Sequence, residues 1–242
     1  MSEAVHAEQE RHAEVARNLT MVRARISEAC AGAGRAEDEV TLTVVTKFFP
    51  ASDVRLLAAL GVTDVGENRH QEAEAKAHDT RDLDLRWHFV GGLQSNKAAA
   101  VARYADVVES VDRRKVLSGL SKGARERGRT LDCLLQVSLD PPDAAGRGRS
   151  GAAPEDVPAL AEQVAAAEGL RLRGVMGVAP LEGDPAEAFA RLAEVAGRVR
   201  LVDPTATWVS AGMSSDLEQA IGAGATHVRI GSAVLGRRPA IK

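Results

Sequence analysis

Eight short stretches rich in β-branched and aliphatic residues recur along this chain, and each is followed by a stretch of helical character or by a tight glycine turn. The strand-like stretches are residues 41–46, 62–66, 85–90, 106–111, 131–139, 170–178, 206–210 and 226–230. The longer ones are apolar on both faces, as strands in a helix-covered parallel sheet are, rather than alternating like a half-exposed antiparallel pair. Regular alternation of strand and helix restricts the chain to α/β architectures. Eight such units in 242 residues fit one (β/α)8 TIM barrel. No internal repeat or linker divides residues 1–242, so a single domain is expected. One further helix precedes the first strand. Over residues 8–33, Val15, Leu19, Val22, Ile26, Ala29 and Ala33 recur at steps of three and four and form one apolar stripe. This extra N-terminal helix is expected to pack outside the sheet.

Local punctuation agrees with the alternation. Ser52 is placed to cap a helix that Gly61 closes. Asp184-Pro185-Ala186-Glu187 and Ser215-Asp216-Leu217-Glu218 both have capping-box spacing. Residues 140–151 hold two prolines, three glycines and two arginines, and form the expected long irregular loop, with Arg147 and Arg149 solvated.

Composition excludes several classes. A formal net charge of -3 gives no basic field, and 3% aromatic residues leave few platforms for stacking bases, so nucleic acid is not an expected partner. No apolar run approaches the ~20 residues of a membrane span. The polar start, Met1-Ser2-Glu3-Ala4, lacks the features of a signal peptide. Cys30 and Cys133 have no metal-ligand spacing and read as reduced, buried thiols of a cytoplasmic protein.

In barrels of this class functional groups collect at the C-terminal ends of the strands. Lys47, Glu67-Asn68, His88, Met176, Ser210 and Arg229-Ile230-Gly231-Ser232 all fall there. Period-two alternation puts Thr43, Val45 and Lys47 on one face, so Lys47 is an amine at the end of an apolar strand. The plain alternative is a lysine that snorkels to solvent. The loops after the seventh and eighth strands, Ser210-Ala211-Gly212-Met213-Ser214 and Ile230-Gly231-Ser232, carry small residues that let backbone N–H groups approach an anion. A capped helix starting at Ser214 and Ser215 would add a positive dipole end. An amine and a phosphate cup in one barrel mouth suggest pyridoxal 5′-phosphate held as a lysine Schiff base. His88 is expected as a hydrogen-bonded barrel histidine and Trp208 as core. Glu67 either orients Lys47 or Asn68 or caps the next helix.

From residue 15 to 238 the chain resembles the pyridoxal phosphate homeostasis proteins, a family built on the alanine-racemase-type barrel. The motifs that carry the likeness are Val44-Val45-Thr46-Lys47, Gly66-Glu67-Asn68, Trp87-His88-Phe89-Val90-Gly91 with Leu93-Gln94-Ser95-Asn96-Lys97, Gly174-Val175-Met176, and Gly212-Met213-Ser214 with Val228-Arg229-Ile230-Gly231-Ser232. The resemblance implies pyridoxal 5′-phosphate as cofactor and no metal. Lys47 is similar to the family's Schiff-base lysine, Asn68 to the asparagine beside the cofactor, and Arg229 to the arginine facing the pyridine nitrogen. Ser210, Ser214, Gly231 and Ser232 resemble the phosphate cup. Phe48-Phe49 stands where the family has a more polar pair.

The function this implies is carrying pyridoxal phosphate and taking part in its intracellular (vitamin B6) homeostasis. The expected partners are the cofactor itself and pyridoxal-phosphate-dependent apo-enzymes, with neither nucleic acid nor membrane. A racemase or lyase of the alanine-racemase fold is the alternative. Racemisation needs acid–base groups on both cofactor faces, and in alanine racemases one comes from a C-terminal β-domain. This chain ends twelve residues after Ile230, so no such domain and a monomer are expected, with little or no amino-acid turnover. A cofactor-free Schiff-base aldolase, with the cup binding a sugar phosphate, is a third reading.

Overall fold

A computed structural model describes residues 3–140 and 150–237. Eight parallel strands close in chain order into one barrel, as the alternation requires. They are β1 (Thr41–Val45), β2 (Asp64–Glu67), β3 (Arg86–Phe89), β4 (Val107–Val111), β5 (Leu131–Val137), β6 (Leu170–Gly177), β7 (Trp208–Ser210) and β8 (His227–Ile230). Around them lie α1 (Glu3–Gly32), α2 (Ala51–Ala59), α3 (His70–Asp79), α4 (Ala98–Ala102), α5 (Leu117–Arg127), α6 (Val157–Ala165), α7 (Pro185–Val202), α8 (Leu217–Gly222) and α9 (Ser232–Leu235). Pairing of β8 with β1, Leu42 opposite Val228, closes the ring and leaves no sheet edge.

Alternation along each strand divides the interior into two regions. Outward residues such as Val44, Val65, Val108, Leu135, Val175 and Val228 are buried beneath the helices. Inward residues build a small apolar plug of Val107, Leu134 and Met176. The rest of the barrel axis is polar and charged, with Thr43, Asp64, His88, Glu109, Ser210 and Arg229 all buried.

The N-terminal helix packs outside the barrel, as its stripe predicts. Val15, Leu19, Val22 and Ile26 are buried against α2, α8 and α9. Arg11 donates to Asp53 on α2 and to the Leu235 carbonyl, and Asn18 donates to the Val234 carbonyl at 3.1 Å, so α1 also holds the end of α9. Both cysteines are buried. No helix among the described residues is long and apolar enough to cross a membrane.

Two caps differ from expectation. α2 begins at Ala51 behind Pro50, without a side-chain cap from Ser52. The Ser215 box does not form, because the Asp216 carboxylate accepts the Met213 N–H at 2.6 Å and α8 starts only at Leu217. The Asp184 cap does form, accepting from the Ala186 N–H. Of the expected loop at 140–151, residues 141–149, with Arg147 and Arg149, lie outside the described residues.

Gly174 shows how tightly the strands approach. Its φ is +147°, and a Cβ there would lie 1.9 Å from the Trp208 carbonyl oxygen on β7. Gly174→Ala should therefore lower unfolding free energy by about 2 kcal/mol or more, combining strain with displacement of a strand. Urea unfolding followed by circular dichroism measures this; an unchanged midpoint would mean that β7 gives way freely.

Candidate functional site

β1 ends at Val45, two residues before Lys47. The chain then turns, with Phe48 at φ +72°, the one non-glycine residue with positive φ among those described. That conformation is strained for a side-chain-bearing residue, and a buried cluster holds it. Glu72 on α3 accepts the Phe48 N–H at 2.6 Å and also the Lys76 ammonium at 2.7 Å. Lys76 donates further to Glu67 at 2.6 Å and to the Thr46 carbonyl at 2.8 Å. Glu67 takes the Thr46 hydroxyl as well. Glu67 thus faces outward beneath α3 and neither orients Lys47 nor caps a helix; with Lys76 and Glu72 it anchors the turn that carries Lys47.

Lys47 lines a cavity of about 410 Å³ at the C-terminal ends of the strands. β2 contributes Asn68, β5 Gln136, β6 Met176 and β8 Arg229, while Ser214, Ser215, Gly231 and Ser232 come from the last two strand–helix loops. Val45, Phe49, Val90, Val178 and Met213 supply apolar wall. Among the described residues, two cations, Lys47 and Arg229, and no carboxylate belong to this lining. The volume falls in the ~300–1,000 Å³ range of small-molecule sites, and the charge balance suits an anion. Two buried acceptors in it have no hydrogen-bond partner: the Asn68 Oδ1 and the Gln136 Oε1. Glycines let backbone come close. A Cβ on Gly91 would lie 2.1 Å from the Asn68 carbonyl oxygen, and one on Gly231 3.2 Å from that of Val45.

The structure brings Lys47, Asn68, Ser214, Arg229, Gly231 and Ser232 together in this cavity. Ser210 lies off it. Fully buried, its hydroxyl donates to Glu109 Oε2 at 2.6 Å and accepts from Arg229 Nη1 at 2.6 Å. Arg229 Nη2 donates to the Gly177 carbonyl at 2.9 Å, so two arms of the guanidinium are fixed within the barrel.

Behind Arg229 runs a chain of buried charge. The other Glu109 oxygen accepts from His88 Nδ1 at 2.7 Å, and His88 Nε2 meets Asp64 Oδ1 at 2.9 Å. With carboxylates on both ring nitrogens, both must donate, which requires the imidazolium. Burial opposes that charge, but Asp64 and Glu109 override it and raise the His88 pKa to about 9. Reciprocally, Glu109 is buried yet lowered to about 2 by His88, Arg229 and the Ser210 hydroxyl. His227 has no such carboxylate bond, and burial lowers it to about 4.

Sequence reading missed Glu109, Lys76 and Gln136. Glu109 had one signal, an acid inside the apolar run Val107–Val111. Gln136 had the weaker one of being the polar inward residue near the end of β5.

A (β/α)8 barrel whose mouth gathers a strand-end lysine, a fixed arginine and the serines and glycine of the last two strand–helix loops defines the class. The family described as alanine racemase, N-terminal domain, matches residues 15–239. Pyridoxal phosphate homeostasis proteins of Pseudomonas aeruginosa and Mycobacterium tuberculosis are 44% and 41% identical, covering 93% and 95% of this chain and 96% and 95% of their own. The solved structure of PipY from Synechococcus elongatus with pyridoxal phosphate bound is 34% identical, with a TM-score of 0.78, covering 92% of this chain and all of that one. The chain belongs to the pyridoxal phosphate homeostasis protein family. A Corynebacterium glutamicum alanine racemase shares the fold at 15% identity and a TM-score of 0.65, this chain covering 64% of its length.

The charge chain should make stability depend on pH. The raised His88 pKa contributes stability that is complete below about 6.5 and lost as pH rises through about 9; the lowered Glu109 pKa contributes stability complete above about 4.5 and lost as pH falls towards 2. Urea unfolding of the wild type should weaken by a few kcal/mol between pH 6 and 10. His88→Gln should flatten that slope; a slope that persists would place the titrating group elsewhere.

Proposed function

We propose that this chain binds pyridoxal 5′-phosphate in the mouth cavity as a carrier, taking part in the cell's homeostasis of that cofactor with little or no amino-acid turnover. The single observation that carries this reading is the cavity's lining, where the described residues set one amine, one guanidinium and no carboxylate beside a small-residue cradle. The residues fit the group. Ser214, Ser232 and the Gly231 backbone suit a phosphate, since hydroxyls and backbone N–H groups donate to anions and a glycine permits close approach. Val45, Met176 and Val178 flank the space for a ring.

When bound, the cofactor supplies an aldehyde and an electron-withdrawing ring. Lys47 is the amine that holds the aldehyde, and the turn at Phe48 keeps it pointed into the mouth. Arg229, clamped by Ser210 and the Gly177 carbonyl, presents a fixed donor to the pyridine nitrogen. An arginine stays protonated, so that nitrogen is left without a proton and the ring draws electrons less strongly. Asn68 lies beside Lys47 with an acceptor available.

Racemisation at an amino acid's α-carbon needs proton-transfer groups on both cofactor faces. Apart from Lys47, the described lining holds no Asp, Glu, His, Cys or Tyr side chain that could serve as the second group. The chain's single tyrosine, Tyr104, stacks on His70 at 5.8 Å and lies outside this cavity. Apo-enzymes that take up the cofactor, a cytoplasmic setting and a monomeric state complete the proposal.

Two measurements test it. Borohydride added to the protein loaded with the cofactor should fix the pyridoxyl group on Lys47, read by peptide mass, and Lys47→Ala should lose both the label and the visible absorbance. A label on a different lysine alone would refute the assignment. Loaded protein incubated with L- and D-amino acids in deuterated water should exchange α-protons far more slowly than about 1 s⁻¹, the lower end of enzyme turnover. Faster, sustained exchange would replace the carrier with an amino-acid enzyme.

A further inference from the structure

The opposite, N-terminal end of the barrel holds a second cavity of about 850 Å³ that shares no residue with the mouth. Two carboxylates at the strand starts are each surrounded by more guanidinium groups than they neutralise. Asp132 accepts from Arg86 Nη2 and Arg171 Nε, both at 2.5 Å, with Arg173 Nε at 3.8 Å. Asp106 meets Arg127 Nη2 at 2.9 Å and Arg129 Nη1 at 3.4 Å. Its other oxygen is taken by the Trp87 N–H at 2.9 Å. The two acids are neighbours, the Asp132 N–H bonding the Asp106 carbonyl at 3.0 Å.

Five arginines on two carboxylates leave a local positive excess. The remaining acids of the wall do not remove it. Asp64 is matched by His88, Arg103 is paired with Glu126 at 2.9 Å, and Glu74 and Asp84 outnumber Arg81 by one, fewer than the three arginines in excess around Asp106 and Asp132. Two buried donors at this end have no hydrogen-bond partner: the Arg173 Nε and the Tyr104 hydroxyl, the latter in the cavity wall. Arg86 and Arg173 both lie over the Trp208 ring, at 4.6 and 4.2 Å, which orients them. Burial lowers the Arg173 pKa, and the like charges of Arg171 and Arg86 add to that against the pull of Asp132. Uncompensated guanidinium groups with unpaired donors call for oxygen-rich anions, and the planar fork matches phosphate oxygens in pairs.

We propose that this N-terminal cavity binds a compact polyphosphate, with Arg129 and Arg171 of its wall as the principal ligands. The phosphates could come free or as part of a nucleoside triphosphate, for which the cavity has room.

Calorimetric titration of the full chain with tripolyphosphate tests the site. Arg129 and Arg171 side chains are 66% and 53% exposed, so Arg129→Ala/Arg171→Ala should fold. Binding should weaken by about 100-fold or more in that variant, as expected for two lost charge-assisted contacts. It should persist in Lys47→Ala/Ser232→Ala, which alters only the mouth. Thermal unfolding supplies a second readout: tripolyphosphate should raise the Tm of the wild type and not that of the arginine variant. A nucleoside triphosphate binding more tightly than tripolyphosphate identifies a seated base, and equal affinity identifies phosphate recognition alone. No binding to the wild type at millimolar tripolyphosphate, unchanged affinity in the arginine variant, or loss of all binding in the mouth variant would overturn the proposal.

Discussion

The structure depends on a line of alternating charges sealed inside the barrel: Asp64, His88, Glu109, the Ser210 hydroxyl and Arg229. Each ion would be costly to bury alone, and each is tolerated because its neighbours supply the opposite charge at hydrogen-bond distance. Two anions and two cations make the line neutral. Its members come from β2, β3, β4, β7 and β8, so it closes only when all five strands are in register. A slip of one residue in any of them would turn its member outward. The line therefore specifies one register, and the closed barrel keeps the line dry.

The same line ends at the mouth, where it fixes Arg229 by two donated bonds and leaves the guanidinium as part of the cavity wall. On the other side of the mouth the support is different in kind. Lys47 rides on a turn whose strained Phe48 is held by Glu72, itself paired with Lys76, which also binds Glu67. Both cations of the cavity are thus placed by largely buried charge networks, one ending on Arg229 itself and the other lying behind the turn that carries Lys47.

Most of the architecture was legible before any coordinates. Strand–helix alternation implied a barrel, and strand-end position singled out Lys47, Asn68, Arg229, Gly231 and Ser232, which converge. Ser210 shows the limit of that reasoning. It also ends a strand and faces inward, but alternation reports direction and not depth, and its hydroxyl sits below the cavity facing Glu109. Glu67 failed for the complementary reason. It ends β2 on the outward face, where Lys76 from the next helix claims it.

The amino-acid sequence sets the order and period of the elements, because apolar periodicity is a local property that each segment carries alone. It also determined which residues could reach the mouth, since a parallel barrel sends all its strand ends to one side. Partnerships between side chains were settled by the closed barrel. His88 becomes a buried cation because carboxylates 24 residues before it and 21 after it arrive on either side of its ring. The excess of arginine around Asp106 and Asp132 likewise appears only when β3 to β6 stand side by side. Charge and protonation follow from distances between groups far apart in the chain, and those distances exist only once the barrel has closed.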